Sequence, residues 1–216
     1  MKNTKAILEP DCTYHIFNRA NGNEKLFLND DNYRYFLKRY EHFISPIADT
    51  FCYCLMPNHF HFLVRIKAEV EFGEILEGRK VSSKTLQGFR TLEGLDRQKC
   101  ITQFISQQFS HLQNSYTQAF NKVNDRKGSL FMHPFKRIKV TDEGYLKKLV
   151  HYIHFNPIES GLTAKPEEWK YSSYSATISN KPTSLLKGEV LSWFDDLENF
   201  IHCHKYPPEI TGIDNS

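Results

Sequence analysis

The sequence of 216 residues carries no strong charge: Lys and Arg exceed Asp and Glu by only three. That balance does not demand a nucleic-acid partner, though it permits one. No apolar run is long enough to span a bilayer, and no secretory leader precedes the cysteines. Those cysteines number five, an odd count, so the expectation is a cytoplasmic protein with reduced thiols. Internal repeats and low-complexity segments are missing as well. Aromatic residues, in contrast, are plentiful: 17 Phe and 11 Tyr contribute to an aromatic content of 14%. They suit a tightly packed sheet and offer stacking surfaces for unpaired bases. The length fits one domain with an extension, or at most two small domains.

Taken in order, residues 1–11 are polar and predicted to fray. Tyr14-His15-Ile16-Phe17-Asn18-Arg19 has strand propensity, broken by Asn21-Gly22-Asn23. Asn29 caps a helix whose apolar residues recur at Tyr33, Phe36, Leu37, Tyr40, Phe43 and Ile44, and Ser45-Pro46 ends it. Residues 48–56 read as a strand, turned at Pro57-Asn58 into a second. Residues 69–98 lack periodicity and read as a long mobile excursion with a short helix at most; Arg79, Lys80, Lys84 and Arg90 lie there. A long amphipathic helix follows from Ile101 to Val123, with His111 near its apolar stripe as a core or boundary residue. Residues 129–140 form a strand region interrupted at Pro134 and made basic by Lys136, Arg137 and Lys139. Those lysines suit a solvated edge strand or a phosphate contact equally. Residues 161–173 are turn-rich, and residues 185–202 suggest one or two short helices. His202-Cys203-His204 repeats a His-x-His spacing outside strand context and is read as chance.

The order β-α-β-β-(excursion)-α-β-α predicts an α+β sandwich, with helices packed on one face of a mainly antiparallel sheet.

Two stretches carry the chemistry. In His59-Phe60-His61-Phe62-Leu63-Val64-Arg65-Ile66, strand alternation puts His59, His61, Leu63 and Arg65 on one face. Phe60, Phe62, Val64 and Ile66 form a core face. Two imidazoles on a rigid backbone can present two nitrogen ligands to one metal ion. Further on, Thr141 caps a helix with a buried stripe of Tyr145, Leu146, Leu149, Val150 and Ile153. Tyr152 and Asn156, one turn apart, fall at the margin of that stripe. Two imidazoles and a carboxamide are neutral ligands that leave a divalent ion its full charge, able to polarise a phosphate diester. A phenol placed beside that phosphate can attack it. The covalent product conserves the energy of the broken DNA link, which is the logic of strand transfer rather than hydrolysis.

Met56-Pro57-Asn58-His59-Phe60-His61-Phe62-Leu63 resembles the His-hydrophobic-His signature of the single-tyrosine HUH transposases. Tyr152-Ile153-His154-Phe155-Asn156-Pro157-Ile158-Glu159-Ser160-Gly161-Leu162 is similar to the tyrosine helix of their REP-associated branch. Asn18-Arg19, Gly128-Ser129-Leu130-Phe131 and Trp169-Lys170-Tyr171-Ser172-Ser173-Tyr174 resemble its lesser landmarks. The match spans residues 12 to 175. The resemblance implies a ferredoxin-like sheet in a catalytic domain of residues 1–175, with residues 176–216 as an extension of unassigned role. It implies a metal-dependent, single-strand-specific DNA endonuclease and strand transferase that recognises DNA hairpins, as a monomer or a homodimer. By position, His59, His61 and Asn156 would ligate Mg²⁺ or Mn²⁺, and Tyr152 would be the nucleophile, leaving a 5′-phosphotyrosine and a free 3′-hydroxyl. Candidate DNA-contacting residues are Arg19, Lys136, Arg137, Lys139 and Lys148. Glu159 departs from the family pattern after Asn-Pro.

Two other readings stand beside this one. One is a hairpin-binding protein that does not cleave. The other is a zinc site built from Cys52, Cys54, His59 and His61, since thiolates select zinc.

Overall fold

The computed structural model describes residues 3–72 and 95–209. Strand β1 (Thr13–Arg19) leads to helix α1 (Asp30–Phe43), then to the hairpin of β2 (Ala48–Met56) and β3 (His59–Ile66). Helix α2 (Leu95–Val123), strand β4 (Lys136–Val140) and helix α3 (Glu143–Glu159) follow. Three short helices close the described chain: α4 (Tyr174–Ile178), α5 (Lys187–Ser192) and α6 (Leu197–Cys203). The sheet order is β2-β3-β1-β4 with every pairing antiparallel, which is the ferredoxin-like arrangement. The His-x-His strand is therefore central. Arg79, Lys80, Lys84 and Arg90 lie outside the described residues. No helix among the described residues is long and apolar enough to cross a membrane.

Local chemistry explains most boundaries. Asn29 caps α1, its side chain accepting from Asn32 N at 3.1 Å. At α3 the cap is Asp142 rather than the expected Thr141: the Asp142 carboxylate accepts from Tyr145 N at 2.7 Å. Tyr145 is three residues past Asp142, the reach of an N-cap side chain. Of residues 129–140, only Lys136–Val140 forms a strand; Phe131 makes a single bridge to Ala20.

Helices cover both faces of the sheet, where one was expected. On the first face, Phe36 and Tyr40 of α1 and Ile105, Phe109 and Tyr116 of α2 pack on Ile16, Phe60, Phe62 and Val64. On the second, Leu149, Val150 and Ile153 of α3 pack with Cys52, Cys54, Met56 and Leu63 of the sheet. Val190, Phe194 and Phe200 from the C-terminal helices join that cluster. Burial on α3 thus extends past its predicted stripe: His154 packs on Tyr174 and Phe200, while Tyr152 and Asn156 are buried toward His61 and His59.

Both sheet edges are also covered, as edges generally are to block foreign pairing. Residues 4–8 of the N-terminal segment do not fray. Arg137 N donates to Thr4 O at 2.9 Å, Ala6 N donates to Arg137 O at 3.2 Å, and Leu8 is buried. At the other edge, Leu55 N donates to Tyr171 O and Trp169 Nε1 to Leu55 O, both at 3.0 Å. The Trp-Lys-Tyr-Ser-Ser-Tyr landmark is therefore a strap along β2.

Candidate active site

Strand register places the polar residues. Arg19 lies opposite His59, and Phe17 lies opposite both His61 and Lys136. Directly opposed residues share a face of the sheet. His59, His61, Arg19 and Lys136 thus stand on the α3 side, and by alternation Arg137 and Lys139 stand on the other. Arg137 Nε donates to Ala6 O at 2.6 Å, and Lys139 pairs with Glu9 at 2.6 Å. Lys148, on α3, pairs with Glu209 at 2.8 Å. Of the five candidate DNA-contacting cations, only Arg19 and Lys136 reach the pocket described next.

That pocket, about 220 Å³, is lined by Arg19, Asn58, His59, His61, Lys136 and Tyr152, together with Phe17 and Asn18 of β1. The His59 and His61 rings are 5.1 Å apart and nearly perpendicular at 85°. The Tyr152 ring meets His61 edge-on at 5.5 Å. Asn156 completes the group from one turn further along α3. Its Nδ2 donates to Tyr152 O at 2.8 Å, which fixes its Oδ1 toward His59 Nε2, 3.3 Å away.

Both imidazoles are pushed toward their neutral forms. Burial pushes the His59 pKa below its usual value, the nearby Arg19 charge adding to the effect and Asn156 opposing it. His61 is pushed down further, first by burial, then by His15 and His59. Each ring spends its Nδ1 on a neighbour: His59 on Asn58 Oδ1 at 2.7 Å, His61 on His15 Nε2 at 2.9 Å. Protonated on Nε2, His59 donates to Asn156 Oδ1; protonated on Nδ1, it would present Nε2 beside that oxygen, 3.3 Å away, as a second ligand atom. Adjacent ligands of an octahedral Mg²⁺ lie about 3 Å apart, so the donor set fits a hard divalent ion. Among the described residues no three His, Cys, Asp or Glu side chains gather to hold a metal, so an amide is the available third protein ligand.

Tyr152 is 4% exposed. Burial is the main cause that pushes its phenol pKa up to about 12, against the lowering effect of Asn156. The cysteines of the zinc reading do not join the site. Burial drives both Cys52 and Cys54 thiols up, away from the thiolate that zinc binds.

Sequence reasoning quoted Asn58 only as part of a motif and did not single out His15. Strand parity held the signal for His15: in Thr13–Arg19, His15, Phe17 and Arg19 alternate onto the same face, two of them under the paired histidines. Asn18 points to the other face, where its Nδ2 donates to Gln113 Oε1 at 2.7 Å and to Met132 O at 2.9 Å, tying α2 and the 128–132 loop to β1. His204, read as chance, is a buried partner of His154.

No protein-family profile matches the chain, and no curated protein matches it in sequence. Its fold is similar to that of a solved REP-associated tyrosine transposase bound to a REP hairpin, with a TM-score of 0.55. The sequence identity is 11%, over 84% of this chain and 89% of that one.

Proposed function

We propose that the chain is a single-strand-specific DNA endonuclease and strand transferase of the single-tyrosine type, acting on DNA that carries a hairpin. The observation that carries this reading is convergence: a tyrosine, two neutral imidazoles and a carboxamide, from strand β3 and helix α3, meet at one small pocket with two cations at its rim. The fold shared with a hairpin-bound transposase supports it.

In this reading His59, His61 and Asn156 hold a divalent cation, Mg²⁺ or Mn²⁺. When bound, the ion neutralises the phosphodiester oxygens and stabilises charge developing there. Arg19 and Lys136 position the strand by its phosphates. Tyr152 Oη attacks phosphorus, the bond to the 3′-oxygen breaks, the phenolic proton is released and the leaving oxygen takes one up. The product is a 5′-phosphotyrosine with a free 3′-hydroxyl, which can reverse the step on another strand. A buried phenol held neutral is a weak nucleophile in isolation, so Tyr152 stays inert until a phosphate is seated.

The test is incubation of the protein with end-labelled single-stranded hairpin oligonucleotides, taken from DNA flanking its gene, in Mg²⁺ or Mn²⁺. A covalent adduct resistant to denaturing electrophoresis, present in the wild type and absent in Tyr152→Phe, is the expected result. Tight hairpin binding with no adduct under any metal would replace this reading with that of a non-cleaving hairpin binder.

A further inference from the structure

His15 is fully buried on β1, and its Nε2 lies 2.9 Å from Nδ1 of His61. The two rings stack at 5.1 Å and 20°, and Phe17 stacks on both, at 4.5 Å from His15 and 5.7 Å from His61. The contact is held by paired strands and has little freedom to rearrange. A single proton lies between the two nitrogens, and its ownership decides the chemistry of His61. If His15 donates, Nδ1 of His61 is the acceptor, and its Nε2 carries a proton that blocks ligation. If His61 donates, its Nε2 holds a lone pair. Which ring nitrogen binds a metal is set by the hydrogen bond of the other. Asn58 Oδ1 does for His59 what this requires of His61's partner: it accepts a proton from Nδ1 at 2.7 Å.

We propose that His15 is a positioning residue for the site: kept in the tautomer protonated on Nδ1, it accepts at Nε2 from His61 and locks His61 with a lone pair on Nε2. This inference rests on the metal reading of the proposed function. It adds a residue outside the pocket, acting through a ligand rather than on the substrate. Through Nε2 His15 can satisfy His61 Nδ1 without introducing charge. The Oε1 of glutamine occupies a similar place and accepts in the same way; leucine cannot.

The experiment has two readouts besides activity. Long-range ¹⁵N–¹H NMR of the metal-free wild type reports the tautomer of each histidine, and the expected result is a proton on Nδ1 for both His15 and His61. Mn²⁺ binding is then measured by electron paramagnetic resonance in wild type, His15→Leu and His15→Gln, each checked for folding by thermal melting. The Leu variant is expected to bind about 10- to 100-fold more weakly, and the Gln variant to stay within a few-fold of wild type. A wild-type His61 protonated on Nε2 overturns the proposal, as does a folded His15→Leu protein with unchanged affinity. If His15→Leu does not fold, the wild-type spectrum and the Gln variant still decide. A wild type that takes up no Mn²⁺ removes the metal reading of the site, while the tautomer of His61 is read from the spectrum alone.

Discussion

Acid should loosen the tyrosine helix through a pair of buried histidines behind it. His154, two residues after Tyr152, contacts His204 of the C-terminal segment, Nδ1 to Nε2, at 3.2 Å. On its other side His154 Nε2 lies 2.7 Å from the Ser173 hydroxyl, which itself donates to Tyr53 O at 3.1 Å, and His204 Nδ1 donates to Phe200 O at 2.7 Å. Burial, with the neighbouring His151, pushes the His204 pKa down to about 3. His154 is also driven well down, chiefly by burial and then by His204 and His151. The unfolded chain therefore binds more protons than the native one below the ordinary histidine value, and stability falls as pH falls through about 6.5 toward the folded values. One histidine that titrates near 6.5 unfolded and near 3 folded costs about 2 kcal/mol between pH 7 and pH 5; the pair costs up to about 4 kcal/mol. Urea unfolding followed by circular dichroism at both pH values measures this. Replacing His204 by Met should lower stability at pH 7 yet flatten the pH dependence by about 2 kcal/mol. Equal slopes in wild type and variant, or no loss between pH 7 and pH 5, would refute the reasoning.

Other expectations concern the strand face, the C-terminal core and the third ligand. Arg19→Ala and Lys136→Ala should each reduce the salt dependence of hairpin binding by about one unit of slope, while Lys139→Ala, on the opposite face beside Glu9, leaves it unchanged; fluorescence anisotropy across a salt series checks both. Phe200→Ala removes a fully buried ring from the cluster that holds α3 and should cost about 3–5 kcal/mol in urea unfolding. Asn156→Ala should weaken Mn²⁺ binding about tenfold or more by calorimetry while leaving His59 and His61 in place.

The sheet and its helices were legible because their signals are local. Alternation marked β3, Asn29 marked the start of α1, and the Phe and Tyr spacing marked its buried face. What escaped was long-range. The N-terminal segment reads as polar and loose, yet it pairs with Arg137 some 130 residues on, an interaction that no local pattern carries. Tyr152 was placed at the margin of a stripe because one apolar stripe implies one covered face. Val190, Phe194 and Phe200 add a second cover from beyond the resembling region, Phe200 lying against His154, while Tyr152 is buried against His61 on the sheet. The basic run Lys136, Arg137 and Lys139 was taken as a unit, although a two-residue period already divides it between faces. His204 was dismissed because its His-x-His spacing lies outside strand context; its actual partner lies 50 residues away.

The same enclosure of α3 predicts that each chain uses its own tyrosine. Tyr152 reaches His59 and His61 of its own chain in the structure, so a pocket completed by exchange would require α3 to leave its seat. Leu149, Val150 and Ile153 are each fully buried there. At about 1.5–3 kcal/mol for each aliphatic side chain, release exposes surface worth at least about 5 kcal/mol, before the His154 bonds are broken. A detached helix would then be present in roughly one molecule in several thousand or fewer. Mixing Tyr152→Phe protein with His61→Ala protein is the discriminating assay. One has an intact ligand set and no nucleophile; the other has the nucleophile and a broken ligand set. If each chain must use its own tyrosine, the mixture yields no covalent DNA adduct above either variant alone. Adduct formation restored on mixing would mean that α3 is exchanged between chains despite its buried stripe, and that the energy assigned to that burial is wrong.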